Sequence, residues 1–127
     1  MNIDLKGKRV IITGASRGIG RAIAKAFAED GAKVAICARD LQAISDTGKA
    51  LGSSGAAVIA RSVDVTDTAA VQAFVAEVAE TWGGVDVLVN NAGQGKGGNL
   101  DTLTPEDILA HANILQMGHF RFVQAVV

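Results

Sequence analysis

The sequence predicts an α/β fold built on a doubly wound parallel sheet. Three observations carry this. Short apolar runs alternate with amphipathic helical patterns along the whole chain. The first apolar run, Val10-Ile11-Ile12, leads directly into a glycine turn that opens a helix. The strand candidates are apolar on both faces, as strands covered by helices on two sides must be. Such alternation gives right-handed βαβ units and a parallel sheet.

Each element has its own signal. Lys8 to Thr13 reads as a first buried strand. Gly18 to Asp30 reads as a helix with Ile19, Ala22, Ile23, Ala26 and Phe27 on its apolar side and Gly31 as its stop. Lys33 to Ala38 is a second buried strand. Asp40 to Leu51 is a weaker helix carrying Leu41, Ile44 and Leu51, closed by Gly52-Ser53-Ser54-Gly55. Ala57 to Val65 is a third strand. Thr66 is placed to cap a helix whose core stripe is Val71, Phe74, Val75, Val78 and Trp82, with Gly83-Gly84 at its end. Val85 to Asn90 is a fourth strand. Gly93 to Leu103 has a loop composition. Thr104-Pro105-Glu106-Asp107 combines a cap, a first-turn proline and first-turn acids, so a helix is expected from there to the chain end.

The bulk properties narrow the class. The chain has 127 residues, enough for one domain spanning residues 1–127. A net charge of −1 suggests neither nucleic acid nor an acidic membrane surface as partner. No apolar run approaches the roughly 18 residues of a membrane span, and the first residues lack the core of a secretion signal. Cys37 is the single cysteine, which fits a reducing cytoplasm and rules out an internal disulfide. It reads as a small buried strand residue rather than a nucleophile. His111 and His119 lie eight residues apart on one helix, too far for adjacent-turn metal ligands, and no metal site is expected.

The candidate chemistry sits at strand ends. Gly14-Ala15-Ser16-Arg17-Gly18-Ile19-Gly20 has the spacing G-x-x-x-G-x-G, between a strand and a helix. That order presents backbone N–H groups at a helix N-terminus, where they and the helix dipole favour a phosphate. A dinucleotide site for an unphosphorylated ribose places a carboxylate about 20 residues further on. Ala38 stands there instead, followed by Arg39, with Arg17 inside the glycine turn. Two guanidiniums suit a ribose 2′-phosphate, so NADP(H) is favoured over NAD(H). Both arginines also read as solvated surface charges. Asp40 reads as a ribose ligand or a helix cap. Asp64, after Val63, offers a carboxylate to an adenine amino group, or reads as a helix-capping acid, a need that Thr66 and Asp67 already fill. Asn90-Asn91-Ala92-Gly93 ends the fourth strand and, by itself, is a turn. Gln94 and Lys96 border the same region or simply belong to a loop.

Taken together, TGASRGIG, the Asp64-Val65 pair and NNAG resemble the short-chain dehydrogenase/reductase family, over essentially the whole chain. The resemblance implies a Rossmann-like sheet of order 3-2-1-4, limited here to its first four strands. It implies that Gly14, Ala15, Ser16, Arg17, Gly18, Ile19 and Gly20 hold a pyrophosphate. Asp64 and Val65 would contact adenine, with Asn91, Ala92 and Gly93 lining the ribose side. Similar members include 3-oxoacyl-carrier-protein reductases, which reduce carbonyls with NADPH. The family assembles as dimers or tetramers, often through the long helix that here begins at Pro105.

The family's reaction uses a tyrosine as acid/base, a lysine four residues later and a serine on the fifth strand. The chain contains no tyrosine, so no catalytic residue is assigned within it. The asparagine that the family often places on the long helix falls at Leu115, with Asn113 about 200° away round the helix. The expected protein is therefore the cofactor-binding portion of a longer oxidoreductase acting on a carbonyl or alcohol. The alternatives are a non-catalytic nucleotide-binding module and a structural fragment.

Overall fold

The computed structural model describes residues 2–94 and 97–127. Four parallel strands form one sheet: β1 (Arg9–Thr13), β2 (Lys33–Ala38), β3 (Val58–Ser62) and β4 (Val87–Val89), in the order β3-β2-β1-β4. The helices are α1 (Gly18–Glu29), α2 (Leu41–Gly52), α3 (Thr68–Trp82), α4 (Pro105–Ala112) and α5 (Gly118–Val126), with a π-helical turn at Asn113–Met117 joining the last two.

Strand register sorts the side chains into two layers. Val10 and Ile12 pair with Val34 and Ile36 on one side and with Val87 and Val89 on the other. These residues pack with Ala24, Ile44 and Leu51 beneath α1 and α2. The alternate residues Ile11, Ala35 and Cys37 join Ile59 and the α3 residues Val71, Phe74 and Val78 on the opposite face. Phe122 of α5 completes that layer and meets Phe74 edge-on, with ring centroids 6.3 Å apart. Burying both faces of β1 and β2 accounts for their unbroken apolar sequence.

Several expected details differ. Ile19 of α1 and Leu41 of α2 are exposed, as are Ala22 and Ala26. The buried positions of α1 are Gly20 and Ala24, four residues apart, with Ile23 and Phe27 beside them. Ala24 packs on the sheet with Val10 and Ile12, whereas Gly20 meets the Gly14 carbonyl and the Asn91 side chain; both contacts select small residues. β3 stops at Ser62 rather than Val65. The turn that follows still buries Val63 and Val65, which mimics the alternation of a longer strand. Asp67, not Thr66, caps α3, accepting the Ala70 N–H at 3.0 Å. The helix from Pro105 is not continuous α-helix but is interrupted by the π turn. Its start is as expected: Thr104 Oγ1 accepts the Asp107 N–H at 3.2 Å and the Asp107 carboxylate accepts the Thr104 N–H at 3.0 Å.

A bidentate ion pair ties the start of β1 to the approach to β4. Arg9 Nε and Nη2 donate to the two Asp86 oxygens at 2.8 and 2.9 Å, and the Arg9 backbone N–H adds a third bond at 2.9 Å. These bonds hold the Asp86 carboxyl well below the usual carboxylate range.

Candidate cofactor site

The carboxyl ends of the strands open into a cleft of about 890 Å³. Its lining draws on four connections that are distant in sequence. The turn between β1 and α1 supplies Gly14, Ser16, Arg17, Gly18 and Ile19; the tip of β2 supplies Ala38 and Arg39. The turn after β3 supplies Val63 and Val65, and the segment after β4 supplies Asn91, Ala92 and Gly93. Open α/β sheets place ligands at this position, outside the carboxyl ends of the strands.

Close backbone approach explains the glycine turn. Gly14 has φ +64°, and a Cβ there would lie 2.8 Å from Ala92 Cα. A Cβ on Gly20 would lie 2.3 Å from the Gly14 carbonyl oxygen and 2.4 Å from Asn91 Nδ2. Any side chain at Gly20 would force these groups apart. Ala15 and Gly20 are thus buried supports beneath the turn, while the other five residues from 14 to 19 face the cleft.

Asn91 and Thr13 lock the two turns together. Thr13 is fully buried at the end of β1, and its Oγ1 accepts the backbone N–H groups of Asn91 at 3.0 Å and Ala92 at 2.9 Å. Asn91 Nδ2 donates to the carbonyls of Thr13 at 3.2 Å and Gly14 at 3.1 Å. The asparagine side chain does more here than close a local turn: it fixes the glycine turn against β4. Thr13 opens the TGASRGIG motif, but its bonds to Asn91 and Ala92 are not read from the sequence; a polar β-branched residue closing an apolar strand is the signal that points to them.

The first turn of α1 has a donor-rich end. Asp40, Asp67 and Thr104 cap α2, α3 and α4 with side-chain acceptors, whereas Arg17 gives α1 no side-chain cap and no acid occupies its first turn. Helix N–H groups without a side-chain partner beside a cleft suit an anion.

The charged groups divide by role. Asp40 lines the cleft, and its Oδ1 accepts the Ala43 N–H at 3.0 Å, as a helix cap does. Arg39 Nη2 donates to Gln94 Oε1, and the Arg39 carbonyl accepts the Ser62 hydroxyl at 2.8 Å. Lys96 lies outside the described residues. Asp64 is exposed at the rim beside the lining residue Val65. Its Oδ1 accepts the Thr66 N–H at 2.9 Å and the Thr66 hydroxyl at 2.7 Å. Those two bonds, aided by the charges of Arg39 and Arg121, hold its carboxyl below the ordinary value. Asp64 is therefore ionised, and an acceptor, throughout the neutral range.

His119 Nε2 is 3.0 Å from the Ala92 carbonyl, and the His119 carbonyl accepts Asn90 Nδ2 at 3.3 Å. This side chain thus holds the segment after β4 against α5, a contact spanning 27 residues that no local pattern reveals. Burial pushes the Cys37 thiol up to about 12, so it is a packing group rather than a nucleophile at neutral pH. Leu115, at the position where an asparagine was sought, lies against Gly93; Asn113 instead bonds to Arg121. Among the described residues no helix is long and apolar enough to cross a membrane.

Residues 8–127 match the family model described as short chain dehydrogenase. The chain is 40% identical over 125 residues to Oxidoreductase UcpA of Salmonella typhimurium, covering 97% of this chain and 46% of that protein. A short chain dehydrogenase from Burkholderia cenocepacia, solved in complex with NADP, has a TM-score of 0.91 and 42% identity, covering 98% of this chain and 51% of that one. A short chain dehydrogenase/reductase from Burkholderia phymatum, solved in complex with NAD, has a TM-score of 0.92 and 35% identity, covering 98% of this chain and 44% of that one. The chain spans about half the length of these relatives.

Proposed function

The chain belongs to the short chain dehydrogenase family, and on that premise we propose that it forms the cofactor-binding part of an NADP(H)-dependent oxidoreductase. The substrate is a small carbonyl or alcohol compound. The observation that carries the reading is the cleft itself, where an uncapped helix end, a glycine cradle and two arginines converge. A Cβ at Gly14 or Gly20 would displace the neighbouring backbone or Asn91, so the cradle exists only because both are glycine.

In this reading the pyrophosphate lies against Gly14, Ser16, Arg17, Gly18 and Ile19, with Ala15 and Gly20 supporting them from below. Asp64 and Val65 flank adenine. Asn91, Ala92 and Gly93 flank the ribose on the nicotinamide side. Arg39, with Arg17 across the cleft, takes the 2′-phosphate. Solved relatives hold NADP or NADPH in several cases and NAD in another, so the choice of NADP(H) rests on Arg39 and on Ala38 in place of a carboxylate. When bound, nicotinamide supplies or accepts a hydride. The residues of this chain bind and orient it.

These 127 residues contain no tyrosine, so they supply binding and orientation rather than the family's acid–base group. The protein acts in the cytoplasm as a homodimer or homotetramer. Exposed Ile108, Leu109, Phe120 and Val123 on α4 and α5 support that assembly. The experiment is NADPH titration of the natural full-length polypeptide, followed by NADPH oxidation with a panel of small ketones. Binding with turnover supports the oxidoreductase. Binding without turnover on any carbonyl or alcohol supports a nucleotide-binding module instead.

A further inference from the structure

Arg121 of α5 is half-buried and reaches two separate parts of the chain, the segment leading into α3 and the π turn. Nε donates to Thr68 Oγ1 at 3.0 Å, at the start of α3. Nη1 donates to the Val65 carbonyl at 3.1 Å and to the Asn113 carbonyl at 3.2 Å. Nη2 donates to Asn113 Oδ1 at 2.7 Å. A planar guanidinium with five donors in a fixed fork can hold such a set at once; an ammonium cannot reproduce the geometry.

The two ends of this bridge support different walls of the cleft. Val65 lines the wall that follows β3. Asn113 opens the π turn, and its carbonyl also accepts the Gly118 N–H. Leu115 within that turn backs Gly93, on the wall that follows β4: a Cβ on Gly93 would lie 3.0 Å from Leu115 Cδ2. β3 and β4 are the outermost strands of the sheet, separated by β2 and β1. The sheet therefore does not connect the two walls directly. The bridge through α5 does, and Gly118 packs closely enough that a Cβ there would lie 2.9 Å from Val65 Cγ2.

We propose that Arg121 is a positioning residue that fixes the spacing between the Val65 wall and the Gly93 wall, so that a ligand spanning both is met by a preset cleft. The proposal rests on the cofactor reading above. A dinucleotide touching both walls gains from fixed spacing, because less ordering remains to be done on binding. A half-length ligand touching one wall gains little.

The test uses the natural full-length polypeptide and three probes: NADPH, adenosine 2′,5′-bisphosphate and reduced nicotinamide mononucleotide. Arg121→Met keeps most of the side-chain stem and removes every donor. It is expected to weaken NADPH binding roughly tenfold while changing each half-ligand by less than about twofold, and Arg121→Lys is expected to recover part of the loss. Unchanged NADPH affinity in a folded Arg121→Met protein overturns the proposal. So does an equal loss for NADPH and one half-ligand, which marks a purely local structural role. If Arg121→Met does not fold, Asn113→Ala carries the test, since it removes one acceptor and leaves the Val65 bond. A smaller NADPH-selective loss supports the proposal, and wild-type affinity overturns it. Failure of the wild-type protein to bind NADPH or NADH would instead refute the cofactor reading on which the proposal stands.

Discussion

Thr13 and Asn91 join the ends of β1 and β4 across 78 residues of sequence: the Asn91 N–H donates to Thr13 Oγ1 at 3.0 Å, and Asn91 Nδ2 returns a bond to the Thr13 carbonyl at 3.2 Å. The hydroxyl is buried and also accepts the Ala92 N–H. Thr13→Val preserves shape but leaves two backbone donors without their acceptor. The expected cost is about 1–3 kcal/mol, measured by urea unfolding, with Thr13→Ser closer to wild type. Equal stability of Thr13→Val and wild type would contradict this role.

Gly20 is constrained by contact on two sides, the Gly14 carbonyl and the Asn91 amide. Gly20→Ala should destabilise the fold by roughly 1–3 kcal/mol and weaken NADPH binding, because relief requires moving the turn. Gly52, the last residue of α2, has nothing within 4 Å of its ideal Cβ. Gly52→Ala is expected to be neutral or stabilising by up to about 1 kcal/mol. Parallel denaturation curves decide between the two.

The Arg9–Asp86 pair predicts a specific acid response. Asp86 has a lowered pKa in the folded protein, chiefly through the Arg9 side chain and then its backbone N–H. A depressed carboxyl contributes stability that is complete above the unfolded value, about 3.9, and that is lost as pH falls from there toward the folded value. Asp86→Asn should lower stability near neutral pH and show a shallower decline below about pH 4. Thermal unfolding across an acid series measures it; identical slopes for the two proteins would exclude Asp86 as a source of acid sensitivity.

Cys37 is fully buried, with its thiol pushed up to about 12. Iodoacetamide at mildly alkaline pH should leave it unmodified in the native protein and alkylate it in denaturant. Mass spectrometry reads the difference. Rapid native labelling would mean that β2 opens locally or that the thiol faces solvent.

These relationships also show which parts of the molecule a sequence makes legible. β2 falls on its expected bounds, Lys33–Ala38, because an apolar run covered on both faces leaves little else for it to be. The strand order is the one the family resemblance implies. The cleft brings together the glycine turn, Arg39, Val65 and Asn91 to Gly93, residues named from the sequence, while Asp64 stays exposed outside its lining. The failures share a cause. Hydrophobicity alone puts Ile19 and Leu41 inside, but α1 makes its close contacts through Gly20, against the glycine turn and Asn91, and through Ala24, against the sheet. Thr66 reads locally as a cap, yet it serves Asp64 while Asp67 caps α3. The π turn, the His119–Ala92 contact and the Arg121 bridge depend on partners that only the tertiary fold brings near.

The central claim is that this cleft binds a nicotinamide dinucleotide and selects its 2′-phosphate through Arg39. Calorimetric titration of NADPH and NADH into wild type and Arg39→Ala tests it most directly. The account predicts saturable one-to-one binding, NADPH tighter than NADH, and a loss of about 1.5–3 kcal/mol confined to NADPH in Arg39→Ala. Equal losses for both cofactors would contradict the role of Arg39, and the absence of saturable binding of either would contradict the cleft as a cofactor site.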